Sequence, residues 1–160
     1  MNNTDSTGNS DRIERGIVIQ APRRRVWRAL TTADEFGRWF GVNLEGQAFE
    51  AGQAARGPLV YPGYEHIIFD VVVEGIEEMD SFSYRWHPYA VDPSLDYTTE
   101  PPTLVRFTLM DAPRNSTSVT VVESGFDRVP SQRRLEAFRM SSRGWEYQLD
   151  NLMQHVVARP

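Results

Sequence analysis

The 160-residue sequence contains no cysteine. Disulfides, thiol nucleophiles and Cys-ligated zinc are excluded together, and the chain fits a reducing, cytoplasmic compartment. It has no apolar run of the roughly 18 residues that a membrane-spanning helix needs. The N-terminal stretch MNNTDSTGNSD lacks a basic segment followed by an apolar one, so the expectation there is a polar, disordered tail over residues 1–11 and not a secretory signal. The phosphate-cradling patterns GxGxxG and GxxxxGK[ST] are absent, as is the GxSxG nucleophile elbow. Only three histidines occur, His66, His87 and His155, with no HxH or HxxxH spacing. A metal site needs three or four ligands with a shared focus, so these read as isolated surface or rim residues. A net charge of −5 argues against nucleic acid as the main partner. No cofactor is expected.

What is present is ordinary for one folded domain: 18.3 kDa, 40% apolar and 24% charged residues. Glu14 to Gln20 reads as a strand. Pro22 then opens a helix, because its missing N–H is not needed in a first turn. Thr32, with Glu35 three residues on, has the pattern of a capping box for a second short helix carrying Phe36, Trp39 and Phe40 on one side, stopped by Gly41. Arg23, Arg24, Arg25 and Arg28 read as the solvated face of the first helix. Further strands are expected over 47–50, 54–60, 66–77, 81–87, 103–110 and 117–125. The clearest alternations are Phe69, Val71, Val73 and Phe82, Tyr84, Trp86. Asp70, opposite Phe69, is expected to face solvent. The segment Pro88–Pro102, with four prolines, interrupts what should be a hairpin; irregular loops of this length are usually lids or disordered. Ser131 is the expected cap of a final helix to Val157, with one stripe from Leu135 through Phe138, Trp145, Leu149 and Leu152 to Val156.

Strands segregated from a terminal helix give an α+β fold: a curved antiparallel sheet of six to seven strands around a long C-terminal helix, with two short helices after the first strand. The run VWRALTTADEFGRWF, a Gly/Pro-rich strand pair, FSYRWHP, SVTVVESGF and GWEYQLDNLMQHV, in that order, resembles the SRPBCC (START-like) helix-grip superfamily, in the branch related to the C-terminal domain of the activator of heat-shock-protein-90 ATPase. The resemblance implies a single domain over 12–157 with a cavity between sheet and helix. It puts Trp39, Phe69, Val71, Phe82, Tyr84, Trp86, Phe107, Val121, Glu123, Trp145, Leu149 and Leu152 in the lining. A small hydrophobic or aromatic ligand is the expected partner, with a second copy or a protein partner as the other possibility.

Glu123 follows Val119 and Val121 in phase, so a carboxylate points at an apolar face. It could orient a ligand together with Tyr84, or serve as the general base of a cofactor-independent cyclase or hydrolase, its pKa raised by burial. The bland alternative is a strand-end glutamate reaching solvent or pairing with Arg106 or Arg128. The arginine-rich helix offers a third function, a co-chaperone-like interaction surface for an acidic partner.

Overall fold

The computed structural model describes residues 10–160. The elements run β1 (Arg12–Ile19), α1 (Arg23–Thr31), α2 (Ala33–Phe40), β2 (Ala54–Pro58), β3 (Ile68–Glu77), β4 (Ser81–Trp86), β5 (Thr103–Ala112), β6 (Ser116–Ser124) and α3 (Ser131–Ala158). The six strands form one antiparallel sheet in the order β1-β6-β5-β4-β3-β2. This is the helix-grip arrangement, at the lower bound of the expected strand number. No helix of the described residues is long and apolar enough to cross a membrane.

Alternation explains which face is inward. Phe69, Val71 and Val73 on β3, Phe82 and Tyr84 on β4, Val105, Phe107 and Leu109 on β5, and Val119 and Val121 on β6 are all buried. Trp145, Leu149, Leu152 and Val156 on α3 cover them. Phe36, Trp39 and Phe40 on α2 close one end, with Phe36 against Phe40 at 5.0 Å, Phe49 at 5.4 Å and Phe69 at 5.7 Å between ring centroids. Burying each such ring contributes about 1.5–3 kcal/mol, which is why the aromatic run after β1 seats the helix pair instead of lying on the surface. Gly41 ends α2 in the left-handed region (φ 94°), and an added Cβ there would fall 2.4 Å from the ring of Tyr61, whose hydroxyl donates to Phe40 O.

Several local expectations differ from the structure. The tail expected over 1–11 lies outside the described residues up to position 9, while Asp11 accepts from the backbone N–H groups of Gly125, Phe126 and Asp127. Residues 47–50 are not a strand; Gln47 instead pairs through its side-chain amide with both backbone groups of Arg56, standing in for a neighbour along the β2 edge. Pro130, not Ser131, is the cap of α3, and its ring leaves no side-chain cap bond. Leu135 is 61% exposed; in the first turns of α3 it is Ala137 that is buried and Phe138 that packs inward, against Phe126.

Gly144 lies inside α3, and a Cβ built on it meets no heavy atom within 4 Å. Close packing therefore does not account for the glycine. Gly144→Ala is expected to raise stability by up to about 1 kcal/mol, the helix-propensity difference between the two residues. An unchanged or lowered thermal midpoint would contradict that reading.

Candidate functional site

Trp86 closes β4 and pairs with Thr103 on β5; one row along the sheet, Glu123 on β6 faces Val105 on β5, which in turn faces Tyr84 on β4. This register brings three polar groups under α3. Glu123 is fully buried. Its Oε2 accepts from Trp86 Nε1 at 2.7 Å and from Thr103 Oγ1 at 2.6 Å, and its Oε1 accepts from Trp145 Nε1 at 2.8 Å. Burial pushes the carboxyl above the ordinary carboxylate range, opposed by the bonds from Thr103, Trp86 and Trp145 and by the nearby Ser141 side chain. The carboxylate thus joins three strands to the helix. It neither reaches solvent nor pairs with Arg106, which binds Glu77, or with any other arginine among the described residues. A general base needs a lone pair aimed at its substrate, and here the carboxylate is fully buried, with three protein donors on its two oxygens. Tyr84 is also fully buried, and its hydroxyl has no hydrogen-bond partner. Burial, and then the charge of Glu123, push its pKa well above the usual tyrosine value.

The inward aromatics largely fill the space between sheet and helix. Phe82, Tyr84 and Phe107 have ring centroids within 6.4 Å of one another, and Phe107 lies 5.6 Å from Trp145. The main cavity lies beside this core, not within it. It has a volume of 520 Å³ and sits between the start of β3, the end of β4 and the 88–102 segment. Phe40, Phe69 and Trp86 form its floor; Leu59 and Ile67 form one side; Tyr89, Val91, Leu95 and Tyr97 form the other. Arg56, His66, Asp70, His87, Asp92 and Thr98 supply its polar groups. Asp70 is exposed as expected and pairs with Arg56 at 3.1 Å.

A smaller cavity of 100 Å³ under α3 is lined by Phe40, Trp86, Ser141, Gly144, Trp145 and Gln148. Of the residues expected to line a pocket, Phe69 and Trp86 face the large cleft, and Trp86 and Trp145 face the small cavity. Trp39 borders a third, open groove beside Tyr61 and His155. Val71, Phe82, Tyr84, Phe107, Val121, Leu149 and Leu152 are core residues that line none of these three, and Glu123 lies behind Trp86 and Trp145. Phe40, Leu95 and Tyr97 were not among the expected lining residues. For the last two, the signal was the proline-rich segment itself.

That segment is ordered against α3. Arg133 Nη2 and Nε bind Glu100 at 2.6 and 3.1 Å, Arg133 Nη1 donates to Pro88 O at 2.8 Å, and the guanidinium lies 4.7 Å from the centre of the Tyr97 ring. One planar cation therefore ties both ends of the segment to the helix, a use to which arginine is better suited than lysine.

A second charged cluster lies on the far side of α2. Arg25 is 6% exposed, not solvated: its Nη1 is 3.0 Å from Glu35 Oε1, an ion-pair contact without hydrogen-bond alignment, and its Nε donates to Arg159 O at 2.6 Å. Glu35 also meets Arg28 at 3.0 Å and His155 at 2.8 Å. Its side chain serves these partners instead of the capping box, and Thr32 makes no side-chain cap bond. His155 is accordingly buried, not a rim residue. Burial opposes ionisation of Glu35, but the bonds from His155, Arg25 and Arg28 and the Arg25 charge outweigh it, and its pKa falls below the usual value. Arg23 pairs with Asp80 and Asp111, which leaves Arg24 as the member of the arginine run without an ion pair among the described residues. The exposed basic patch expected of a co-chaperone-like surface is therefore mostly neutralised. Among the described residues no group of three or more acidic, histidine or cysteine side chains is placed to hold a metal ion.

Comparison with known proteins agrees with the architecture. The chain is similar to the solved structure of protein MLL2253 from Mesorhizobium loti (25% identity, TM-score 0.70, covering 93% of this chain and 98% of that one). It shares the fold of DynU16, a protein of the dynemicin biosynthetic locus (22% identity, TM-score 0.66), spanning 91% of itself but only 47% of that longer chain. CalU16 from Micromonospora echinospora also has this fold (19% identity, TM-score 0.61, 91% and 75% covered). No curated protein matches the chain significantly. The family model described as activator of Hsp90 ATPase homolog 1-like protein matches residues 20–157, from the end of β1 almost to the end of α3, and the chain belongs to that family.

Proposed function

We propose that this protein binds a small hydrophobic or aromatic molecule, without a cofactor, in the cleft roofed by the 88–102 segment. The observation that carries the reading is the 520 Å³ volume with an aromatic floor and a few polar groups at the rim. Ligand pockets typically have about 300–1,000 Å³ and this kind of lining. The roof supports it as well: Leu95 is 54% exposed, an apolar side chain at the cleft edge with no protein surface covering it. Arg133 holds the two ends of the roof while Val91, Pro93 and Leu95, with Asp92 among them, border the cleft.

Native mass spectrometry against a lipid and polyphenol library tests the reading. One-to-one adducts are expected, and Leu95→Asp should weaken them about ten-fold or more, because it places a charge against the ligand's apolar face. Absence of any retained adduct, or adducts indifferent to Leu95→Asp, would count against the cleft as the site.

A further inference from the structure

Phe40 and Trp86 belong to the lining of both the cleft and the small cavity under α3. They are the partition between the two. On the α3 side the space is an open notch bordered by Gly144, where an added Cβ would meet no heavy atom within 4 Å. At 100 Å³ that notch alone is well below the size of a ligand pocket, about 300 Å³ at the least. Trp86 is only partly buried, unlike Phe82 and Tyr84 on the same strand face. The one side-chain hydrogen bond that holds its ring is Nε1 to Glu123 Oε2. Behind it stands Trp145, with ring centroids 5.8 Å apart and planes 33° from parallel.

We propose that Trp86 is a displaceable plug, and that the ligand is a flat aromatic carrying an N–H or O–H donor that takes over the indole's hydrogen bond to Glu123 Oε2 when Trp86 swings into the cleft. The inference rests on the cleft being the ligand site and names the chemistry selected there. Displacing Trp86 joins the two cavities and lets a ring lie against Trp145, beside the notch at Gly144. A buried carboxylate is tolerated only while its oxygens keep their donors. With Trp86 gone, Oε2 retains Thr103 alone. A ligand without a donor leaves that position unfilled, whereas a phenol or an aromatic amine restores it. Sites built around a buried polar group reject analogues that lack the matching one far more strongly than apolar pockets reject a missing methylene. The carboxylate inside an aromatic core thereby becomes a selector, and the indole its surrogate ligand in the unliganded protein.

The test follows the indole N–H resonances of the ¹⁵N-labelled full chain during titration with 2-naphthol and with its donorless counterpart 2-fluoronaphthalene. With 2-naphthol, the Trp86 Nε1–H signal is expected to leave its hydrogen-bonded position, while that of Trp145 stays hydrogen-bonded to Glu123 and shifts only through the ring current of the bound probe. Affinity for 2-naphthol should exceed that for 2-fluoronaphthalene by about ten-fold or more. Gly144→Leu, which fills the inner cavity, should reduce 2-naphthol affinity by a similar factor with the circular-dichroism spectrum unchanged. If that variant fails to fold, the two wild-type titrations decide alone. Binding of both probes with equal affinity and an undisturbed Trp86 signal would overturn the plug while leaving the cleft as a ligand site. Failure of both probes to bind would remove the plug and the cleft together.

Discussion

Glutamine at position 123 is expected to lower the stability of the protein by about 2–4 kcal/mol at neutral pH, read as a shift of the urea midpoint with unchanged slope. The native carboxylate accepts from two indoles and one hydroxyl. An amide has one oxygen and one NH₂, so whichever way it turns, a buried donor meets another donor. The pH dependence has a definite sign. The folded-state pKa of Glu123 is raised by burial above the ordinary carboxylate value of 4.5, so the folded chain binds this proton more tightly than the unfolded one. Its contribution is greatest below 4.5 and declines as pH rises from 4.5 through the folded pKa. Glu123→Gln removes that decline, and the gap between wild type and variant should widen as the pH is lowered towards 4.5. A near-zero difference in midpoint, or a gap that narrows as the pH is lowered, would contradict the placement of the carboxyl among these three donors.

Glu35→Gln should be comparably damaging, by about 2–4 kcal/mol, for a different reason: it leaves the buried Arg25 without its counter-charge and removes the carboxylate that contacts His155. Here the pH dependence runs the other way. The pKa of Glu35 is lowered, so its contribution is complete above 4.5 and is lost as the pH falls through the folded value. Wild type should therefore lose part of its stability in mild acid that the variant has already lost, and the two unfolding curves should converge as the pH drops. Parallel curves between pH 6 and 3 would contradict the placement of Glu35 at the centre of this cluster. The exposed pair Arg38–Asp34, with both side chains more than half accessible, should by contrast contribute no more than about 1 kcal/mol.

These two glutamates show what the sequence discloses and what it withholds. Glu123 was legible because strand alternation is a local rule: two valines in phase put the next carboxylate on the buried face. Its partners were less so, since Trp145 comes from another element and the pairing depends on where α3 crosses the sheet. Glu35 was legible only as a helix-start signature. The spacing from Thr32 satisfies a capping pattern, but His155 lies 120 positions away, and no local periodicity announces a bond across that distance. Arg25 was misplaced for the same reason, because a charged residue on a short helix is solvated unless some distant element covers it. The fold itself was easier. β3 and β4 alternate over long enough runs, and α3 carries a stripe that only its first turns abandon. The cleft was half visible. The proline-rich segment marked itself as irregular, while the fact that Arg133 folds it over Phe69 and Trp86 is a property of the assembled chain. The aromatic residues expected to surround a hollow instead pack against one another, since mutual contact buries more apolar surface than a cavity does, and the space moves to the margin.

The most direct test of a ligand cleft beneath the 88–102 segment is methyl-resolved NMR of the full chain titrated with 2-naphthol. Saturable shifts concentrated at Leu59, Ile67, Val91 and Leu95, with Leu109, Val119 and Leu152 unmoved, are the predicted result. Shifts confined to outward-facing side chains such as Val18 and Met110, or no saturable shifts at any concentration, would contradict it.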